Sequence, residues 1–498
     1  MPEKTLKEKY LWGMALVLFV AACGVKWFYL AQQHYYIRLD AEALGAYDIA
    51  KTFPLEMLLR RLFLGCDYNL GSARPFFTNL LYILTYKGFG YEPRVVLTLG
   101  ILVGSLLIPL YFLAAAALVN VEVALSASVI LTWMPHYVYP CMALNTVIPG
   151  ILFITGALLA AVRYHKGGGI GFLYLSGCLA SMSVFCRFEN VLLLPAFVGY
   201  EWLFDKKGRF SSKFVYGLLC AGSGFFILCC DYRCRGNPFF AMQWQSWTMS
   251  QPQNAVPRVP MTMAIEVVWG FLRTLLGLGP LPWVAAVAGM ILMIKRYKFR
   301  ALCLFLGALI LPLFLAYKIN MGTLDRAGES CFLLFPLIAL SLGLECVRGF
   351  FSGLGRRRLF GIAAVGLVAV FFVFSCHPAS VRPLNGRWYY PPKLMRLTEA
   401  LKGIPATSVL YIDNVVSQPP EFQAMEVLPY VNRNPQKYVS GIGGRGGIDP
   451  EEKEYYLLTM EGFLGKLPKE DVVKVRDYRA FGYEGLVLYR VTRSREGK

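Results

Sequence analysis

Three carboxylates follow the first apolar run of this chain at close range. They are Asp40, Glu42 and Asp48, all within "HYYIRLDAEALGAYDIAKTF", which begins just after "LWGMALVLFVAACGVKWFYL" ends at Leu30. A carboxylate held there can take a proton from a hydroxyl. Asp40 can equally cap the helix that follows it, with Glu42 in the first turn complementing the helix dipole. Arg187 and Glu189 lie in "CRFEN", between two apolar runs. A charge at a membrane edge is a functional hypothesis by default. The competing readings are an Arg187–Glu189 ion pair, or an arginine whose head reaches the lipid headgroups. Arg38 and His34 stand beside aromatic residues, as headgroup-binding side chains often do.

Membrane helices must position these groups. The 498 residues are 56% hydrophobic and 16% charged, against about 25% charged in a soluble globular protein. Crossing the hydrocarbon takes roughly 20 apolar residues. Runs near that length predict eleven spans, near 11–30, 94–118, 121–139, 146–162, 170–186, 190–204, 214–230, 276–294, 301–317, 331–347 and 359–376. The first run exceeds a signal-peptide core, and "WFYLAQQHYY" has no small-residue cleavage site, so it reads as a retained anchor.

The net charge of +19 does not point to nucleic acid. With the N-terminus cytoplasmic, the connections "RYHKGGG", "DKKGRFSSK", "KRYKFR" and "RGFFSGLGRRR" are all basic, and only "VNVE" departs. The opposite loops carry little net charge, which is the positive-inside asymmetry. Anionic lipid accounts for the rest. The thirteen cysteines fall mostly in apolar runs, without a CxxC pair, so a thiolate zinc site is not supported.

The expected fold is therefore a polytopic α-helical membrane protein of about eleven transmembrane helices. Residues 1–376 form its membrane domain, with residues 31–93 as a first outer loop. Within that loop "DAEALGAYDIAKTF" and "PLEMLLRRLFLG" have helical spacing, broken at Pro54. The second has the amphipathic pattern of an interfacial helix. Residues 377–397 read as an interfacial linker. Residues 398–498 read as a small extracytoplasmic α/β domain, with "SVLYID", "KYVSGI", "EYYLLTM", "DVVKVRDY" and "GLVLYRV" as strands, and "PPKLMRLTEALKGI" and "PPEFQAMEVLPYVN" as helices. "GIGGRGG" lacks the spacing of a phosphate-binding loop.

The acidic first outer loop, followed by "YNLGSARPFFTNLLYILTYKGFG", resembles the GT-C superfamily of integral-membrane glycosyltransferases. "WMPHYVYP" is similar to the family's proline-marked end of the third helix, and "GFLYLSGCLASMSVFCRFENVLLLPAF" to its small-rich hairpin with Arg-x-Glu at the tip. "RCRGNPFF" resembles the Gly-Asn-Pro loop of bacterial members, and "DRAGESCFLLFPLIALSLGL" the Arg-led entry to a late span. The resemblance runs over roughly residues 10–350. It is similar to the protein O-mannosyltransferase and aminoarabinose-transferase-like families.

That resemblance implies an enzyme moving a sugar, hexose or pentose, from a polyprenyl-phosphate carrier to a lipid, glycan or protein acceptor outside the membrane. It makes Asp40 the leading general base and Glu42 the second, with Asp48 a third candidate. It makes Arg187 a ligand for the carrier phosphate, joined by Arg74 and by Arg326 at the head of the tenth span. Glu189 and Arg38 are further candidates. Two departures stand out. The loop acids are separated by Ala41, where the family usually has them adjacent. Where many members carry an acid after the third or fourth span, "PCMALNTVIPG" offers Asn145, so no metal site is assigned and a divalent cation is left open. Trp244 and Trp247 can stack on a sugar, or belong to the interfacial aromatic belt.

An inverting glycosyltransferase is the leading reading, placed in a bacterial inner membrane with its active site and C-terminus extracytoplasmic. A flippase or transporter of a lipid-linked sugar would be expected to show paired repeats and mid-membrane charges, and no repeat is visible. A non-catalytic assembly protein is the third reading. The expected sidedness can be measured directly. A cysteine at position 40 is expected to label with a membrane-impermeant thiol reagent in intact cells or spheroplasts; labelling only after permeabilisation would reverse the topology.

Overall fold

The first apolar run forms one unbroken helix, α1 (Pro2–Gln32). The computed structural model describes residues 2–32, 46, 49–50, 53–63, 76–133, 135–142, 147–204, 209–238, 344–345, 348–349, 352, 392–405, 408–412, 453–461, 471–479 and 485–492. Two compact units divide the chain: residues 1–32, 52–81 and 98–386 in one, and 33–51, 82–97 and 387–498 in the other.

In the first outer loop, α2 (Leu55–Phe63) follows Pro54 as expected, with Leu58 buried and Glu56 paired to Arg60 at 3.1 Å on the exposed side. Next come α3 (Phe76–Phe89) and α4 (Pro93–Leu118). Gly90, at φ 104°, makes the turn between them, a conformation that a Cβ resists. Tyr91 stacks on Tyr86 at 6.2 Å and donates a hydrogen bond to the Ala50 carbonyl at 3.0 Å.

The other described helices are α5 (Val121–Trp133), α6 (Pro135–Met142), α7 (Val147–His165), α8 (Ile170–Cys186), α9 (Leu194–Phe204) and α10 (Phe210–Arg235). Among the described residues four stretches are long and apolar enough to cross a bilayer: Lys9–Ala31, Arg94–Leu118, Val147–His165 and Phe210–Arg233. Leu16, Val17 and Val20 on α1 are 60–68% exposed, a surface that only lipid covers favourably. The opposite face is core: Ala15, Leu18 and Ala22 pack with Leu107 and Phe112 of α4, Val123 and Ala127 of α5, and Ile151 of α7.

Two expected spans differ in detail. The run 121–139 is not one helix. α5 ends at Trp133, and α6 begins afresh with Pro135 at its first position, where a proline's missing N–H costs nothing. The run 190–204 is a 3₁₀ segment, Phe188–Leu193, continued by α9. Six residues at about 2.0 Å and eleven at about 1.5 Å reach roughly 28 Å, close to the hydrocarbon thickness. The return is completed by a contact: His165 at the end of α7 meets Glu201 near the end of α9, Nε2 to Oε1 at 2.9 Å. The path through α8 and back therefore ends at the level where it began. The expected spans from 276 to 376 lie outside the described residues, apart from residues 344–345.

α6 sits hard against α4. A side chain at Gly100 would run into the Cys141 and Met142 carbonyls, and one at Gly104 into Cys141 itself. The Cys141 thiol donates to the Gly104 carbonyl at 3.5 Å. This is the small-xxx-small spacing that lets membrane helices approach closely.

The second unit holds α11 (Pro392–Leu401) and four strands, β1 (Val409–Ile412), β2 (Glu454–Met460), β3 (Asp471–Asp477) and β4 (Leu486–Thr492). Their order is β1-β2-β4-β3, with β1 parallel to β2 and the other pairs antiparallel. Tyr411, Tyr455, Leu457, Val487, Tyr489 and Val491 form its core. Arg476 donates to the Ala400 carbonyl near the end of α11, at 3.0 Å. On the surface, the Arg479 backbone N–H and then Lys474 hold Asp477 below the usual carboxylate range. The expected strand "KYVSGI", the helix "PPEFQAMEVLPYVN" and the loop "GIGGRGG" lie outside the described residues.

Gly100→Leu is expected to unseat α6 and lower the stability of the detergent-solubilised protein by about 1–3 kcal/mol. Gly24→Ala, on α1 with no atom near its added Cβ, is expected not to lower stability and to raise it by up to about 1 kcal/mol through helix propensity. Equal thermal midpoints for Gly100→Leu and the parent would contradict the close approach.

Candidate functional site

α8 and α10 run side by side in the same direction. The Ser223 backbone N–H donates to the Ser181 hydroxyl at 2.9 Å, and the Phe185 and Phe226 rings meet edge to face at 5.7 Å. Extending that register carries both helices to one end, where Arg187 caps α8 and Asp231 lies on the last turns of α10. The chain bends sharply at Arg187: its backbone is extended, with φ −156° and ψ 119°. Its N–H still donates to Ser183 O at 3.1 Å, and its own carbonyl accepts from the Asn190 N–H at 3.1 Å. Asn190 also ties the bend to α8 through Nδ2 to Ser183 O, at 3.0 Å.

Arg187 is 4% exposed and Asp231 is 1% exposed. An arginine reaching for headgroups would project outward; this one is enclosed. Glu189 sits on the 3₁₀ segment two residues on. A guanidinium enclosed at a helix end can bind phosphate strongly in a low dielectric, whereas a carboxylate at the same end opposes an anion. Asp40, Glu42, Asp48, Arg38, Arg74 and Arg326 lie outside the described residues, as do His34, Asn145, Trp244 and Trp247. Of the expected site residues, Arg187 and Glu189 are therefore the ones whose place in the fold is described. Among the described residues no group of three His, Cys, Asp or Glu side chains is placed to hold a metal ion.

Three charged groups escaped the reading of the sequence. Glu201 is buried in α9 beside His165, and the lone acid in the apolar "PAFVGYEWLF" was its signal. Asp231 was passed over as a span boundary. Lys26 stands alone in the apolar "AACGVKWFYL". It is 1% exposed and donates from Nζ to the Ser105 hydroxyl of α4 at 3.2 Å.

At the other end lies a second polar cluster. Asn120 caps α5, accepting from the Val123 N–H at 2.9 Å, and donates to Glu345 at 2.6 Å. Arg348 grips the same carboxylate through two nitrogens, at 2.8 and 2.9 Å. The "VNVE" connection, the exception to the basic pattern, thus faces a basic residue from a connection expected on the same side.

Residues 73–229 match the family described as dolichyl-phosphate-mannose-protein mannosyltransferase. No curated protein matches the chain in sequence. Among solved structures, the chain is similar to ArnT from Cupriavidus metallidurans bound to undecaprenyl phosphate, at 14% identity, and to the same protein in the apo state, at 15%. In both cases the TM-score is 0.58, and the match covers 95% of this chain and 97% of that one. Agreement at this identity is agreement of fold, and it runs over nearly the whole length of both chains.

His165→Ala is expected to lower stability by about 1–3 kcal/mol, because it leaves the buried Glu201 carboxylate without its partner. Adding Glu201→Leu is expected to restore part of the loss. Thermal unfolding of the single and double variants checks this; additive losses would mean that the two side chains are not coupled.

Proposed function

From its likeness in fold to ArnT and the family match over residues 73–229, we propose that the chain is a GT-C-type inverting glycosyltransferase using a polyprenyl-phosphate-linked sugar. Its acceptor lies on the extracytoplasmic side of a bacterial inner membrane. The observation that carries this reading is the full-length likeness to a fold whose solved examples include one holding undecaprenyl phosphate. The family match over 73–229 supports it from the sequence side, since that family is described by a lipid-phosphate sugar donor.

The chemistry asks for little. The acceptor hydroxyl oxygen attacks the anomeric carbon of the donor sugar from the face opposite the phosphate. The carbon–oxygen bond to phosphate breaks, its electron pair leaves with the polyprenyl phosphate, and the acceptor's proton passes to a carboxylate. One displacement inverts the anomeric centre. The phosphate is a good leaving group and needs no acid, but its charge needs cations close by. Asp40 is the proposed base, with Glu42 as its alternative and Asp48 behind them. Arg187 is the proposed phosphate ligand, supported by its enclosure at a helix end, with Arg74 and Arg326 as companions. The lipid tail lies along the apolar outer surfaces of the membrane helices, a surface that a soluble enzyme lacks.

Purified protein given a panel of polyprenyl-phosphate sugars is expected to transfer one of them to an acceptor. Asp40→Asn or Glu42→Gln is expected to reduce that transfer about 10²–10⁴-fold. If neither change lowers it by tenfold, about 1.4 kcal/mol of barrier, the base lies elsewhere. Absence of transfer with every phosphate-linked donor would remove the proposal itself.

A further inference from the structure

Lys26 is a charged side chain buried within a membrane-length helix. Its helix crosses as Lys9–Ala31, and the side chain is 1% exposed, turned into the protein rather than toward lipid or water. An ammonium carries three protons to donate. Among the described residues one of them has a partner, the neutral Ser105 hydroxyl at 3.2 Å. The titratable groups facing it from its own helix and from α6 are the thiols of Cys23 and Cys141. No carboxylate among the described residues stands beside it.

Such an arrangement is costly. A buried charge without a counter-ion loses several kcal/mol of hydration that a hydroxyl does not restore. Something eases the cost in the empty protein. α6 ends at Met142, and the Cys141 and Met142 carbonyls lie against Gly100, five residues from Ser105 on α4. The carbonyl end of a helix carries partial negative charge. A partial charge and a neutral hydroxyl do not balance a full ammonium, so an anion beside it would pair it more completely.

The position suits one kind of anion. Lys26 lies six residues before the end of α1, about 9 Å along the axis at 1.5 Å per residue. This places it below one membrane surface, on the helix that leads directly into the loop bearing Asp40. Its long stem lets the ammonium move toward that surface. A lysine is also a good partner for a phosphate monoester, to which it presents a point charge.

We propose that Lys26 is a further anion-binding residue of the donor site, whose ammonium pairs with the phosphate of the polyprenyl-phosphate carrier when the carrier is bound. This rests on the glycosyltransferase reading above and adds to it a cation from the first membrane helix. The Ser105 hydroxyl is the hydrogen-bond partner that the described structure gives this ammonium. Binding then exchanges a poorly satisfied buried charge for a paired one.

The experiment uses the full chain in phosphatidylcholine nanodiscs and measures thermal midpoint and binding of undecaprenyl phosphate, with undecaprenol and phosphatidic acid as controls. The parent is expected to bind undecaprenyl phosphate and to be stabilised by it, with no response to undecaprenol. Lys26→Met is expected to raise the midpoint of the empty protein, because it removes an unpaired buried charge, and to weaken binding of the phosphate lipid at least tenfold. Lys26→Arg is expected to retain binding to within a few-fold. A Lys26→Met protein that binds the phosphate lipid as tightly as the parent overturns the assignment of Lys26 and leaves the glycosyltransferase reading standing. A parent that does not distinguish undecaprenyl phosphate from undecaprenol overturns both. Equal competition by phosphatidic acid would show that the ammonium serves bulk anionic lipid, and would overturn its role in the donor site.

Discussion

Hydrocarbon offers no hydrogen-bond partner to a backbone N–H or C=O, so every peptide group inside the bilayer must be satisfied by the chain itself. Much of the helical unit follows from that. The apolar runs become helices because a helix satisfies its own ladder. Where the ladder breaks, it does so near helix ends or with a local repair. Trp133 gives way to a new helix that starts on a proline. The bend at Arg187 is tied by backbone and side-chain hydrogen bonds among Ser183, Arg187 and Asn190. The 3₁₀ segment that follows keeps its hydrogen bonds local while gaining length per residue, which lets a short stretch cover the return.

The same constraint gives meaning to the charges. Two clusters, His165 with Glu201 and Glu345 with Asn120 and Arg348, are paired at short distance. Each joins segments distant in sequence, so each also records which helix ends share a level. Arg187 and Asp231 are enclosed at the ends of two parallel helices. Lys26 differs from all of these, because its partner is a hydroxyl. Pairs that are complete within the protein are most simply structural. A charge whose pairing is incomplete is where a ligand can contribute binding energy. On that basis the first membrane helix joins the proposed donor site.

The second unit is built differently. Tyr411, Tyr455, Leu457, Val487 and Tyr489 form its core, Leu410, Leu458 and Leu488 are buried as well, and Glu454, Arg476 and Arg490 make polar contacts at the surface. Exposed ion pairs such as Glu454–Arg490 contribute little to stability. The aromatic core is what holds this sheet.

The sequence alone settled the class of protein: apolar length and charge asymmetry are one-dimensional properties, and the bilayer reads them in one dimension. Hence helices α1, α4, α7, α8 and α10, and strands β1 to β4, were all legible. So was the position of Arg187, at the bend between two apolar runs. Glu201, Asp231 and Lys26 were visible as letters but not as a site, because their meaning depends on what each meets across the bundle. The division of 121–139 into two helices, and the seat of the second on Gly100 and Gly104, likewise depended on neighbours. A membrane chooses which segments enter it by composition, whereas the pairing of segments is decided by close packing, and that is a property of the folded protein alone.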